Sequence, residues 1–503
     1  MTPAMALATS DYGDLLVLAI VVPVSGMMLS LVVGGRHAER IALMLMPVGV
    51  GLALAIALEV WEHGAPLVYV LGGWTPPLGI ALRADGFSAV MLVTAALVIA
   101  AAAWFARALF ATPAELPEAR APLAFWTLLQ GLWAALNLVF VGGDLFNLYV
   151  ALELLTFAAV PLVCLDGRAE TLQAALRYLL FALIGSVFYL LGAALLYGAY
   201  GTLDIVLLGQ RIGRDPVTAP AVFVAGGLMT AGLLAKTALF PLHLWLPPAH
   251  ANAPAPASAV LSALVVKGSF FLIVRLWFDV MPGLATEEVT AILGALGSAA
   301  ILFGSVLALR QERLKLLIAY STIAQIGYLF LMFPLALGGQ PWNAEAWNGG
   351  IMQALSHAFA KAAMFLAAGL VAESLGHDRI ADLHGIGRAM PMTMFAFGLG
   401  GLSLMGLPPS GGFAAKWLLL QATVDQSQWL WAVIVLAGGL LAGGYVYRVV
   451  APALADGKVA VKGCPSRGRE AIALALAAAA ALLGFAPPGF FALLQVGRAG
   501  VLP

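Results

Sequence analysis

Charge is what this sequence has least of. Lys, Arg, Asp and Glu make up 10% of its 503 residues, against roughly 25% in soluble domains. With 62% hydrophobic residues and a mean hydropathy of +0.98, the composition is that of an integral membrane protein. Cysteine is nearly absent. Cys164 and Cys464 are the two present, too few for a disulfide framework, a metal cage or an iron–sulfur cluster. Any electron transfer therefore belongs to another subunit, and no cofactor is expected in this chain. A net formal charge of zero argues against nucleic acid as a partner. There is no Gly/Ser linker and no soluble domain, so residues 1–503 are expected to form one membrane body in a lipid bilayer.

What the chain does have is apolar windows of about 20 residues, the length that spans a hydrocarbon core of roughly 30 Å. Fourteen are legible: 13–33, 39–60, 86–106, 121–142, 144–165, 174–200, 218–241, 257–282, 288–309, 314–337, 350–375, 391–422 with an interruption, 428–451 and 470–495. The start, MTPAMALATSDYGDLLVLAI, lacks a basic n-region and reads as a first span rather than a cleaved signal peptide. Basic residues between the spans and at their ends gather in the odd-numbered loops, as at Arg36, Arg40, Arg310, Arg313, Lys315, Arg448, Lys458, Lys462, Arg467 and Arg469. The positive-inside rule then puts those loops in the cytoplasm and both termini outside.

Besides Lys315 at the very start of its window, four lysines fall inside spans: Lys236, Lys267, Lys361 and Lys416. Glu153 joins them, several turns into its helix and so near mid-membrane. Ionisable groups at that depth cost several kcal/mol unless paired or hydrated, which makes them functional candidates. Two of the lysines stand beside helix breaks. In LLAKTALFPLHLWLPPAHANAPAP, Pro241 cannot donate and crowds the carbonyl of Thr237, so the helix should end just past Lys236. In SLMGLPPSGGFAAKWLLL, Pro408, Pro409, Gly411 and Gly412 interrupt the span ahead of Lys416. Irregular backbone survives at membrane depth only where it lines protein or a wet cavity. Two broken helices at corresponding places point to inverted repeats around an ion path, pairing spans 4–8 (121–282) with spans 9–13 (288–451) and leaving 1–110 and 470–495 as flanks.

His357 lies four residues before Lys361 and shares its helix face. The alternative for it is a hydrogen-bonded core histidine. Burial disfavours a charged lysine and a nearby carboxylate restores it, so Glu153 and Lys236 would make a proton switch. The competing view is a fixed ion pair that only locks helices. His243 and His250 lack a third ligand nearby, so no metal site is expected. Asp144 suits the start of its helix, Arg275 reads as an end anchor, and Trp61, Trp74, Trp245 and Trp277 read as interface markers.

These segments resemble the antiporter-like subunits shared by the membrane arm of respiratory complex I, membrane-bound hydrogenases and Mrp-type cation/proton antiporters. The resemblance rests on GGDLFNLYVALELL, LLAKTALFPLHLWLPPAHANAPAPASAVLSALVVK, LIAYSTIAQIGY, SHAFAKAAMFLAAG and GLPPSGGFAAKWLLL, within residues 70–450. It implies an all-α membrane fold of about 14 helices, with two inverted five-helix repeats, two discontinuous helices and a hydrated axis. It also implies a proton relay of Glu153, Lys236, Lys267, His357, Lys361 and Lys416. One departure is RQERLKLLIAYS: where the family often has an acid and, three residues on, an arginine, this chain has Arg313 and Leu316.

GGWTPPLGIALRADGFS, GDLFNLYV and LLYGAYGTLDI look most like the D-type subunit of Mrp antiporters, whereas FPLHLWLPPAHANAP looks more like complex I and hydrogenase subunits. The expected function is proton translocation within an Mrp-type Na⁺/H⁺ antiporter, among other membrane subunits. The alternatives are a proton-pumping subunit of a redox-driven NADH:quinone oxidoreductase or hydrogenase, and a structural scaffold whose buried charges serve assembly. No quinone-specific motif is present, and no redox or hydrolytic centre is expected in the chain itself.

Overall fold

The computed structural model describes residues 8–113, 115–214, 220–337, 343–457 and 461–498. Lys458 and the first two positions of the expected seventh span lie outside them. Among the described residues, 13 helices are long and apolar enough to cross a membrane. In chain order the helices are α1 (Asp14–Val33), α2 (Gly35–His63), α3 (Gly86–Ala106), α4 (Arg120–Val141), α5 (Leu145–Val163), α6 (Ala169–Tyr200), the short α7 (Ile205–Arg214), α8 (Pro220–Thr237), the short α9 (Leu246–Asn252) and α10 (Ala255–Val280). They continue with α11 (Glu287–Leu309), α12 (Leu314–Ala336), α13 (Ala344–Leu375), α14 (Pro391–Met405), α15 (Gly411–Asp425), α16 (Trp429–Leu454), α17 (Arg467–Phe485) and the short α18 (Pro488–Gln495). The interrupted twelfth window is the pair α14 and α15, each too short to span alone, which reconciles 13 helices with fourteen windows.

Burial sorts these helices. The apolar window of α10 is 100% buried, those of α13 and α12 are 94% and 89% buried, and those of α1 and α2 only 28%. The fold therefore has a protein-lined centre on α10, α12 and α13, and a lipid-facing rim. The backbones of α6 and α8 come close, so that a Cβ on Gly232 would sit 2.2 Å from the carbonyl oxygen of Gly185. Small residues let the two backbones close up, and this brings Lys236 toward α6.

Both breaks fall where proline and glycine put them. α8 ends at Thr237, followed by Ala238 in the left-handed region at φ 58°. The Ala235 carbonyl freed there accepts the Trp245 indole N–H at 2.9 Å. At the second break Ser410 caps α15 through the Phe413 N–H at 3.1 Å. A Cβ on Gly412 would meet the Ser403 carbonyl at 1.8 Å, so only glycine fits where the two half-helices meet.

The fold is the expected all-α membrane body, with one small antiparallel hairpin of Leu67–Val70 and Ala81–Ala84, Leu67 opposite Ala84. Two expectations need correcting. Trp61 and Trp74 are exposed as interface markers should be, but Trp245 and Trp277 are buried. Trp245 stacks on Tyr178 at 4.2 Å, and Trp277 donates to Thr230 at 3.0 Å. Arg275 is no end anchor. It grips Asp85 through two bonds of 2.5 and 2.7 Å and reaches Asp279 at 2.8 Å, and Arg498 holds Asp279 from the C-terminal side at 2.7 Å. Burial alone would raise the Asp85 carboxyl, but Arg275, with Arg498 and Arg83, holds it well below the usual carboxylate range.

Candidate functional site

Asp144 does what an acid at a helix start should. Its carboxylate accepts the Phe146 and Asn147 N–H groups at 2.9 and 3.0 Å, setting the first turn of α5. Further along α5, Glu153 Oε1 lies 3.3 Å from Lys236 Nζ, and the two side chains are 14% and 6% exposed. Ser186 donates to the same carboxylate oxygen, and Lys236 also donates to Thr156 at 3.0 Å. The predicted pair thus exists, held by two hydroxyls that sequence reasoning did not single out. Thr156 was findable, being three residues from Glu153 on one helix face.

Lys236 also borders a cavity of about 10 Å³ lined by Thr156, Tyr178 and Ser269, room for roughly one water molecule. Ser269 accepts from Thr237 at 2.9 Å and stands two residues from Lys267. The polar surface therefore passes from α8 to the central α10. There a π-type turn at Leu261–Val265 precedes Lys267, whose ammonium donates to the Ser262 carbonyl at 2.7 Å. Such turns recur at functional positions in helices. The Ser262 hydroxyl bonds Thr322 on α12 at 2.9 Å, crossing to the second half of the chain.

Lys361 on α13 donates to the Ile318 carbonyl at 3.0 Å and to the Ser321 hydroxyl. Lys416 on α15 donates at 2.5 Å to the Leu404 carbonyl, one of those freed by the second break, and lies 4.4 Å over the Tyr328 ring. His357 is buried with neither ring nitrogen bonded to protein, within electrostatic range of Lys267, Lys361 and Lys416. Of the six residues, then, Glu153 and Lys236 touch. The other four follow along one buried line on α10, α13 and α15 without direct contact to one another.

His250 belongs to this line and was missed. It is buried, packs on Phe365 at 4.8 Å, and is close enough to Lys361 and Lys267 to feel their charge. Its place in a proline-rich stretch hid this, because only the fold carries the short α9 back onto α13. His243 sits between Phe240 and Phe303, at 5.5 and 5.4 Å, and no cluster of metal-ligating side chains occurs among the described residues. Arg313 pairs with Asp378 at 2.9 Å.

A separate cavity of about 360 Å³ opens beside Arg83, Asp204 and Asp279, away from the six residues. Burial, reinforced by the nearby Asp144 carboxylate, raises Asp204 above the usual carboxylate range.

Residues 142–442 match the family described as NADH:quinone oxidoreductase/Mrp antiporter, TM. The chain belongs to this family. The matched stretch runs from the start of α5 into α16 and contains all six axis residues. Family members similar to it include NADH-quinone oxidoreductase subunit N of Desulforudis audaxviator, 36% identical over 83% of this chain and 80% of that protein. The D-type subunit of the Na(+)/H(+) antiporter of Alkalihalophilus pseudofirmus is 30% identical over 85% of this chain and 84% of its own. Among solved structures, a chain of the Mrp complex from a Dietzia species superposes with a TM-score of 0.86 over 96% of this chain and 97% of that one, at 24% identity. That likeness is one of fold: a multi-pass helical membrane body of the same shape.

Proposed function

We propose that this chain is the proton-translocating subunit of a multisubunit Mrp-type Na⁺/H⁺ antiporter. The observation that carries the reading is the Glu153–Lys236 pair, buried beside a helix break at the head of a line of lysines. Among the described residues Lys267, Lys361 and Lys416 face carbonyls and hydroxyls rather than acids. A buried ammonium without a counter-charge is costly. One excess proton on this line is therefore better shared in sequence than held at every lysine at once.

In this reading the pair is a switch. While Glu153 faces Lys236, the ammonium is compensated. When the carboxylate turns away, the proton on Lys236 leaves through the adjoining cavity toward Lys267. It then passes His357 and Lys361 and reaches Lys416 at the second break. Residues 121–282 and 288–451 act as inverted repeats, each supplying one broken helix, with 1–110 and 470–495 as flanks. Both termini lie on the outer side of a bacterial inner membrane. Other membrane subunits complete the assembly and supply the path for the coupled cation.

The 36% identity with a quinone oxidoreductase subunit favours a second reading, in which the same line is the pumping end of an electron-transfer complex. Purification through this chain in mild detergent, with native mass spectrometry of the co-purifying subunits, separates the two. Small hydrophobic partners and proton uptake driven by a Na⁺ gradient support the antiporter. Partners carrying flavin or iron–sulfur clusters overturn it in favour of the redox machine. Lys416→Ala tests the outlet in either case: translocation is expected to fall by about 100-fold, the scale of losing one positioned proton-transfer group. Native-rate flux in vesicles would place the outlet elsewhere.

A further inference from the structure

The segment LIAYSTIAQIGY of α12 stands out in the sequence, yet none of the six axis residues lies in it. Its polar side chains fill the interval between Lys361 and Lys416. Ser321, which accepts from Lys361 and donates to the Ile318 carbonyl at 2.9 Å, stands beside the Tyr445 hydroxyl of α16. Tyr445 accepts from Gln325 Nε2 at 3.2 Å. The same nitrogen donates at 3.1 Å to the Leu404 carbonyl, the oxygen that holds Lys416 Nζ at 2.5 Å. Gln353 donates to Gln325 Oε1 at 2.9 Å and so fixes which way the amide points. Ser321, Gln325 and Tyr445 are all fully buried.

The Tyr445 hydroxyl and the Lys416 ammonium thus meet at one shared pair, the Gln325 amide and the Leu404 carbonyl. Tyr328 provides the contrast. Its ring lies under Lys416, but its hydroxyl bonds the Val435 carbonyl at 3.3 Å and takes no part in the connection.

We propose that Ser321 and Tyr445 carry the proton from Lys361 to Lys416, with Gln325 as the positioning residue. The Ser321 hydroxyl turns from the Ile318 carbonyl to the Tyr445 oxygen, and as an N–H bond of Lys361 breaks and its proton passes to Ser321 Oγ, Ser321 gives its own to Tyr445. Tyr445 releases its hydroxyl proton through water to the neutral amine of Lys416. One ammonium is neutralised, another forms, and rotation of the two hydroxyls resets the path. The step rests on the relay reading above.

The test compares Tyr445→Phe, Tyr328→Phe and Lys416→Ala in the complete complex, reconstituted in vesicles with a pH-sensitive dye and driven as the native complex is. Rates are taken in H₂O and D₂O and normalised to assembled complex. Tyr445→Phe is expected to lower the rate by about 100-fold, within the range for a lost proton-transfer group, and to raise the H₂O/D₂O ratio, while Tyr328→Phe runs at the native rate. A Tyr445→Phe complex with native rate and native isotope ratio, beside an inactive Lys416→Ala, would overturn the tyrosine step and leave the relay standing. If Lys416→Ala also runs at the native rate, both fall. A Tyr445→Phe variant that assembles poorly but has an unchanged rate per complex and isotope ratio marks packing alone, and equally overturns the proposal.

Discussion

Glu153→Gln is expected to cut proton translocation by about 100-fold while the complex assembles normally. Glutamine keeps the shape of the side chain and can still accept the bond from Ser186, so the packing of α5 against α6 is preserved. What disappears is the negative charge 3.3 Å from Lys236, and with it the partner that makes loading and release of that lysine differ. A loss of this size matches the contribution of one positioned proton-transfer group. Flux measured in vesicles, normalised to assembled complex, checks it. An ion pair that merely locks helices predicts the opposite pattern, a lower yield of complex with a native rate per complex.

Arg275→Met is expected to do the reverse, damaging the fold more than the relay. Arg275 is the hub joining Asp85 at the start of α3, Asp279 on its own helix and, through Asp279, Arg498 near the C-terminus. Removing it strands the buried Asp85 carboxylate without its bidentate partner. Breaking one side of a buried pair costs about 3–5 kcal/mol, enough to consume much of a membrane domain's margin. Thermal inactivation of the purified complex should therefore shift sharply downward, and the molecules that do assemble should translocate at the native rate per complex. Unchanged thermal inactivation would show that Arg498 and Arg83 hold Asp85 without it.

These two variants separate what the sequence made legible from what it hid. Glu153 and the four lysines were visible because ionisable groups inside apolar windows are rare and costly at that depth. The breaks beside Lys236 and Lys416 were visible because proline forbids a continued hydrogen-bond ladder. Arg275 and His250 were not. Each lies near the edge of a span or between spans, where a polar residue is ordinary, and only long-range packing shows them to be buried. The hairpin at Leu67–Val70 escaped for a similar reason: four-residue strands leave too little periodicity to compete with helical windows on either side. The hydroxyls of Thr156, Ser186, Ser262 and Ser321 are common residues in membrane helices, and only their partners across helices give them meaning.

The measurement that tests the account most directly is proton translocation by the reconstituted complex carrying Lys267→Met, read beside its thermal stability. Lys267 lies on the fully buried central helix and, among the described residues, faces no carboxylate. Methionine is apolar and of similar length, so a chain whose buried charges serve only assembly should tolerate it and become more stable. A proton relay predicts that the variant assembles, is at least as stable as the native complex, and has lost translocation. Native-rate flux with methionine at that position would contradict the relay outright.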